Sequence, residues 1–267
     1  MYIIKMTYPF DLIIRIIVAA VLTVIFGNGS VVAFNNIKPE WFADYPDQED
    51  INKDARVNVE NKKTKKPKKV LPPKLIEADS EGRQRLPSTP WKYAFVGYFG
   101  IVGLYLAIRG GSVEYMIYVM CVLFVLLLMA ISDALYMIVP DQFSIALALM
   151  SVAFAGYHET WWEPLAGAGI GLALSLSILG LGLLVYKTGS IGGADIKFFT
   201  CMGLIGGRGG IVIIFVLTTL IFAMHSVIRI STGRATIKDS LAMLPSGCVA
   251  CTIYFLFLWN MWELWFL

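Results

Sequence analysis

Charge is what this chain has least of. Asp, Glu, Lys and Arg make up only 15% of its 267 residues, against roughly 25% in soluble domains, whereas 57% are hydrophobic and the mean hydropathy is +0.69. That balance excludes an ordinary soluble domain and points to a polytopic membrane protein. Histidine is nearly missing: His158 and His225 are the only two, and neither has a His, Cys or carboxylate companion at ligand spacing, which argues against metal catalysis. The four cysteines, Cys121, Cys201, Cys248 and Cys251, all fall in apolar runs, so no disulfide framework is implied. Cys248-x-x-Cys251 reads as packing rather than redox chemistry. No small-residue cleavage site follows the first apolar run, and residues 11–26 read as a retained span rather than a signal peptide.

The apolar runs predict helices near 11–34, 93–108, 113–132, 142–157, 164–186, 196–207, 210–229 and 243–266. Most approach the ~20 residues that cross ~30 Å of hydrocarbon; 196–207 is too short to do so comfortably. The expected fold class is therefore all-α and polytopic, with about eight transmembrane helices and one polar cytoplasmic loop. Three parts follow: a first transmembrane helix at 1–35, the loop at 36–92, and a membrane-embedded domain at 93–267. The loop carries Pro46, Pro67, Pro72, Pro73, Pro87 and Pro90 and the run Lys62-Lys63-Thr64-Lys65-Lys66-Pro67-Lys68-Lys69, without amphipathic period, so it reads as extended and largely flexible.

Of 22 Lys and Arg, 13 lie between Lys38 and Lys92. Flanked by apolar spans, that cluster is a poor nucleic-acid site; it suits anionic lipid headgroups or simple solvation. The positive-inside rule puts the loop in the cytoplasm together with Lys187, Lys197, Arg229, Arg234 and Lys238. Arg109, Arg208, Lys5 and Arg15 are left near the other face. The aromatic ending, Trp259, Trp262, Trp265 and Phe266, reads as an interfacial belt.

Against this background two acids stand out: Asp133 in LLLMAISDALYMIVPDQF and Asp195 in YKTGSIGGADIKFFTCMG. Each sits at the end of an apolar run, where a carboxylate costs about 2.5 to 3.5 kcal/mol on insertion scales and is functional by default. Two such groups sharing one proton across a water molecule can hydrolyse an amide. One stays ionised as base while the other holds the proton, and the sequence leaves open which. Pro140 and Asp141 mark a helix end and turn after Asp133, with Asp141 read as a cap for the following helix. Gly192 and Gly193 are read as letting the backbone approach a neighbour closely. Lys197, two residues from Asp195, falls on another helix face and reads as a lipid-phosphate or structural residue, with tuning of the site as the lesser alternative.

These residues resemble the type IV prepilin peptidases, GxGD-type intramembrane aspartic proteases. Asp133-x6-Pro140-Asp141 is similar to the family's first motif. Gly192-Gly193-Ala194-Asp195-Ile196-Lys197 looks like GxGDxK with Ala194 in place of the second glycine, and Pro245-Ser246-Gly247 is a weaker echo of a Pro-x-Gly-Pro turn. The resemblance implies Asp133 and Asp195 as the catalytic pair, with Pro140, Asp141, Gly192, Gly193 and Lys197 supporting. It implies a bacterial inner-membrane endopeptidase that removes a short basic leader from type IV prepilins or pilin-like proteins at the cytoplasmic face, in pilus assembly or type II secretion. Large members also methylate the new amino terminus with S-adenosylmethionine; no nucleotide-binding fingerprint supports that activity here, so the cofactor stays an open expectation and no cofactor-binding residue is assigned. The N-terminal third departs further. Gly27-Asn28-Gly29-Ser30, Asn35 and Pro39 are similar to a Gly-Ser-x-x-Asn stretch, yet Ala33 occupies the asparagine position, and the loop lacks the two CxxC pairs of larger members. Two other classes fit less well. An ion-coupled transporter places its acids near the midplane, often in repeated halves, and a noncatalytic pilus-assembly scaffold has no need of either aspartate.

Residues 36–92 contain no Cys or His, so a tetrahedral zinc site cannot form there. Purified protein is expected to hold no stoichiometric zinc by elemental analysis and to keep its activity in a chelator. Glu40, Asp44, Asp47, Glu49 and Asp50 form an acidic half of the loop that would attract a basic leader. Neutralising the five is expected to lower apparent substrate affinity at low salt, with little change at saturating substrate, and the effect should fade as salt rises because exposed charges more than ~8 to 10 Å apart are screened at physiological ionic strength; a salt series on cleavage kinetics checks this.

Overall fold

The computed structural model describes residues 9–38, 41, 77–78, 84–109, 112–186, 192–233 and 241–259. Among them are seven helices: α1 (Pro9–Asn35), α2 (Ser88–Arg109), α3 (Val113–Tyr136), α4 (Asp141–Phe154), α5 (Glu163–Tyr186), α6 (Gly193–Ser231) and α7 (Leu244–Ile253). A 3-10 turn, Ala155–Tyr157, prolongs α4, and a π-helical turn, Tyr254–Leu258, prolongs α7. The one strand pair is a two-residue antiparallel ladder, β1 (Glu77–Ala78) against β2 (Gln84–Arg85), within the stretch read from the sequence as an extended loop. Most of that loop, the lysine run and five acids included, lies outside the described residues, as do Trp262, Trp265 and Phe266.

Five of these helices, α1, α2, α3, α5 and α6, are long and apolar enough to cross a membrane by length and composition. The longest is not a single rod. Gly207 interrupts α6 with φ +66° and ψ −169°, a left-handed conformation that only glycine takes without strain. A straight 39-residue helix would be about 58 Å long and would hold Phe199 and Phe215 about 24 Å apart. Instead their rings lie 5.0 Å apart between centroids. The helix is folded back at Gly207 into two antiparallel arms, 193–206 and 208–231. Counting the arms separately, the described residues form eight helical segments, in the order that the apolar runs predict. The first arm, at about 21 Å, is too short to cross a bilayer upright.

Close backbone contact holds this hairpin against α5. A Cβ built on Gly203 would lie 2.2 Å from the Gly167 carbonyl oxygen, and one on Gly171 would lie 2.4 Å from the Phe199 carbonyl oxygen. Gly167 and Gly171 are four residues apart, as are Phe199 and Gly203, so each helix offers a one-turn ridge on which the other seats. Where lipid is as apolar as the side chains, such contact is a main source of helix association. On the other side of the molecule Gly27 of α1 is equally closed by Val96 of α2, 2.6 Å from its added Cβ. Asn35, at the end of α1, clamps the chain entering α2: its Nδ2 donates to the Leu86 carbonyl at 2.9 Å and its Oδ1 accepts from the Leu86 N–H at 3.0 Å. α2 consequently begins at Ser88 rather than at 93.

α3 is the centre of the bundle, with Val119, Met120, Val122, Leu123 and Met129 fully buried. Ser112 caps it, its Oγ accepting from the Tyr115 N–H at 3.1 Å. Met137 stops it in a left-handed conformation, φ 55°, with its N–H returned to the Asp133 carbonyl. At the far end Phe154, Phe255, Tyr115 and Trp259 pack ring on ring, with centroids of 5.5 to 6.4 Å. Trp259 is therefore core: it is only 8% exposed, and the interfacial-belt reading fails for it because a preceding aromatic layer closes over it.

Gly203→Ala is expected to lower the melting temperature in detergent, by an overpacking cost of about 1–3 kcal/mol. Gly169→Ala, on the same bundle but with nothing within 4 Å of its added Cβ, is the control. It should be neutral or stabilising by about 0.5–1 kcal/mol.

Candidate active site

The turn from α3 to α4, the start of the first α6 arm and the start of α7 meet at one end of the bundle. Asp133 lies one turn before the end of α3 and is buried. Its Oδ2 accepts from the Leu244 backbone N–H at 2.9 Å, with Met243 contributing a second backbone donor. Leu244 opens α7, where the amides of the first turn have no partners in their own helix. Asp133 thus occupies the place of an anion at a helix N-terminus, although it comes from 111 residues earlier in the chain.

Asp195 is the third residue of α6, half-buried, and its Oδ2 accepts from the Gly192 N–H at 3.3 Å. The acid reaches back over its own helix start, which orients the carboxylate toward the Gly192 N–H. Asp133 lies within electrostatic range of it. Two acids from separate helices are therefore brought into one electrostatic neighbourhood, one buried and held by α7, the other half-buried at the start of α6.

The supporting residues differ in part from their sequence reading. Pro140 is the N-cap residue of α4 and makes no side-chain cap; Asp141 is not the N-cap but the first helical residue, an acid in the first turn. There it forms an ion pair with Lys197 Nζ. The pair joins the start of α4 to the first arm of α6. Gly193 has nothing within 4 Å of an added Cβ and Gly192 only the Asp195 carboxylate at 3.6 Å. Neither is a close-crossing glycine; those are Gly167, Gly171 and Gly203. What Gly192 supplies is the extended N-cap, φ −75° and ψ 153°, whose N–H faces Asp195. Gly247 of the Pro245-Ser246-Gly247 turn faces the ring of Phe198, 2.8 Å from its added Cβ, so α7 touches both the Asp133 helix and the Asp195 helix.

Residues 120–227 match the type IV leader peptidase family. Both aspartate motifs lie within that stretch, and the match supports a prepilin peptidase, as the motifs' resemblance implies. No curated protein and no solved structure matches the chain. The matched segment takes in α3 from residue 120 onward, α4, α5, the first arm of α6 and most of the second. α1, α2 and α7 lie outside it, although α7 supplies the donors to Asp133.

Sequence spacing misses a polar cluster at the other end of the bundle. His158 Nε2 is 3.1 Å from the Ile205 carbonyl and its Nδ1 is 3.5 Å from Glu163. Arg208 pairs with Glu163 at 3.0 Å and lies over the Trp162 ring at 4.4 Å. His158 therefore does have a carboxylate companion, brought in by the α5 start; the expectation of none is corrected. The Gly207 turn packs against the His158 ring, so the cluster closes the bend of α6. No group of three His, Cys, Asp or Glu able to hold a metal occurs among the described residues, and Cys248 and Cys251 are buried free thiols.

Proposed function

We propose that this chain is an intramembrane aspartic endopeptidase whose catalytic pair is Asp133 and Asp195. The observation that carries the reading is the arrival of two carboxylates, from α3 and α6, in one electrostatic neighbourhood at the same end of an apolar bundle. Close acids cannot both ionise freely, so the pair holds one proton between them. In this mechanism the ionised member takes a proton from a water molecule as that water attacks the scissile carbonyl. The protonated member hydrogen-bonds the carbonyl oxygen, and the leaving amine departs with a proton. The backbone donors from Leu244 and Met243 hold one carboxylate in a fixed orientation without a titratable partner, and the half-buried position of Asp195 leaves a path for substrate.

The substrate that fits the family is a type IV prepilin or pilin-like protein with a short basic leader, cut at the cytoplasmic face of the bacterial inner membrane, for pilus assembly or type II secretion. The charge asymmetry of the sequence supports that orientation. The chain ends of α1 and α2 that flank the lysine-rich loop, Asn35 and Ser88, come together near Leu86. Phe34 stacks on Tyr136 at 6.4 Å, so the end of α1 lies beside the end of α3 that carries Asp133. N-methylation of the mature terminus with S-adenosylmethionine is a second activity that the family allows, and it would need a site outside the pair.

Asp133→Asn and Asp195→Asn should each lower processing of a coexpressed prepilin by more than about 10²-fold, seen as the uncleaved band on a gel, with the protein still inserted in the membrane. Wild-type processing by either variant would sink the assignment.

A further inference from the structure

Hydroxyls in the helices of this chain are commonly met by the carbonyl one turn back. Ser175, Thr200, Thr219 and Ser226 each donate to residue i−4 at 2.8 Å. Thr218, directly before Thr219 on the second arm of α6, does not. It is fully buried and its Oγ1 has no hydrogen-bond partner, a costly state in an apolar surrounding. We infer that Thr218 is a positioning residue for Asp195, joined to it through one water molecule that Ser175 also binds.

Placement follows from the ladder that α5 makes with the two arms of α6. Gly167 meets the backbone of Gly203 and Gly207; one turn along α5, Gly171 meets the Phe199 carbonyl and Ile211. Each rung advances four residues along α5 and along the second arm, and steps back four along the first. The third rung therefore sets Ser175 level with Asp195 on the first arm and with residue 215 on the second, and Thr218 is within one turn of it. Direction is fixed as well. Ile211, Ile214 and Thr218 are all fully buried and form one stripe at i, i+3 and i+7. Ile211 lies 3.2 Å from a Cβ built on Gly171, and Ile214 lies 3.5 Å from one built on Gly206, so the stripe faces the seam between α5 and the first arm. Thr218 continues it toward the level of Asp195. Ser175 is fully buried too, and its own proton goes to the Gly171 carbonyl, which leaves its oxygen able to accept. The water accepts from Thr218, donates to Ser175, and donates to Oδ1 of Asp195, since the Gly192 N–H takes Oδ2. Three polar partners are what a buried water needs. Held by one N–H alone, the carboxylate could turn about its last bond; a second contact sets its plane without bringing a charge. The consequence for catalysis rests on the peptidase reading above.

The experiment reads activity and the link to Asp195 separately, in the full-length protein purified in detergent. Thr218→Val removes the hydroxyl and nearly keeps the shape. It should lower kcat for a prepilin substrate about 10-fold with KM unchanged, whereas Thr218→Ser, which keeps the hydroxyl, should keep kcat. Thr219→Val, on the exposed side of the same arm, is the control and should keep it too. Melting temperature reads the link without activity. In an Asp195→Leu background the Thr218 hydroxyl has lost its acceptor, so Thr218→Val should raise the melting temperature by about 2–4 °C; with Asp195 in place it should not raise it. Equal shifts in the two backgrounds overturn the inference, as does wild-type kcat in Thr218→Val, or a Thr218→Ser variant as slow as Thr218→Val. Asp195→Asn separates the two readings. If it still cleaves prepilin, the peptidase assignment fails, while the melting temperatures continue to decide whether Thr218 is joined to Asp195.

Discussion

A carboxylate buried in an apolar bundle has to be met by donors, and Asp133 is met by backbone rather than by a cation. The Leu244 N–H at 2.9 Å comes from the first residue of α7, where amides lack helical partners. This one contact ties the centre of the molecule to the helix nearest the C-terminus of the described chain. Through it α7 must start beside the end of α3, and its turn, with Gly247 against Phe198, is pressed on the α6 arm that carries Asp195. Proximity of the two acids is thus a consequence of how one buried charge is solvated by protein.

The second constraint is the fold-back of α6. An apolar run that would overshoot the bilayer as one rod is made into a short arm and a long one by a single left-handed glycine. The short arm is what allows Asp195, at its start, to stand at the same level as the end of α3 rather than across the membrane from it. The bend is closed from outside by His158, Glu163 and Arg208, polar groups that satisfy one another and the Ile205 carbonyl where the helix ladder is broken. Glycine contacts at 167, 171 and 203 then fix the hairpin on α5 at a separation that any larger side chain would forbid.

The parts of the site that are local in sequence were legible there. The aspartates, the Pro140 helix entry and the short helix after Asp195 follow from composition, proline chemistry and span length, each a property of a few consecutive residues. What misled was the assignment of partners. Asp141 looked like a cap because acids favour helix starts, and the glycines before Asp195 looked like a crossing point because small residues favour crossings. Both preferences are real, but the surrounding chain decided which was used: Pro140 already occupies the N-cap position of α4, and α5 crosses α6 at Gly203. Trp259 looked interfacial for the same reason and is instead covered by Phe154 and Phe255.

The sequence by itself determined that the chain is helical and membrane-seeking, since scarcity of charge over runs of ~20 residues leaves no other way to satisfy backbone hydrogen bonds in lipid. It also determined that two acids sit at the ends of those runs. Only the tertiary structure decided which helix start solvates Asp133, which lysine holds Asp141 and which way the chain turns at Gly207. Those choices are made between residues tens of positions apart, by backbone donors and by the space left at glycines. Neither leaves a periodic trace along the chain.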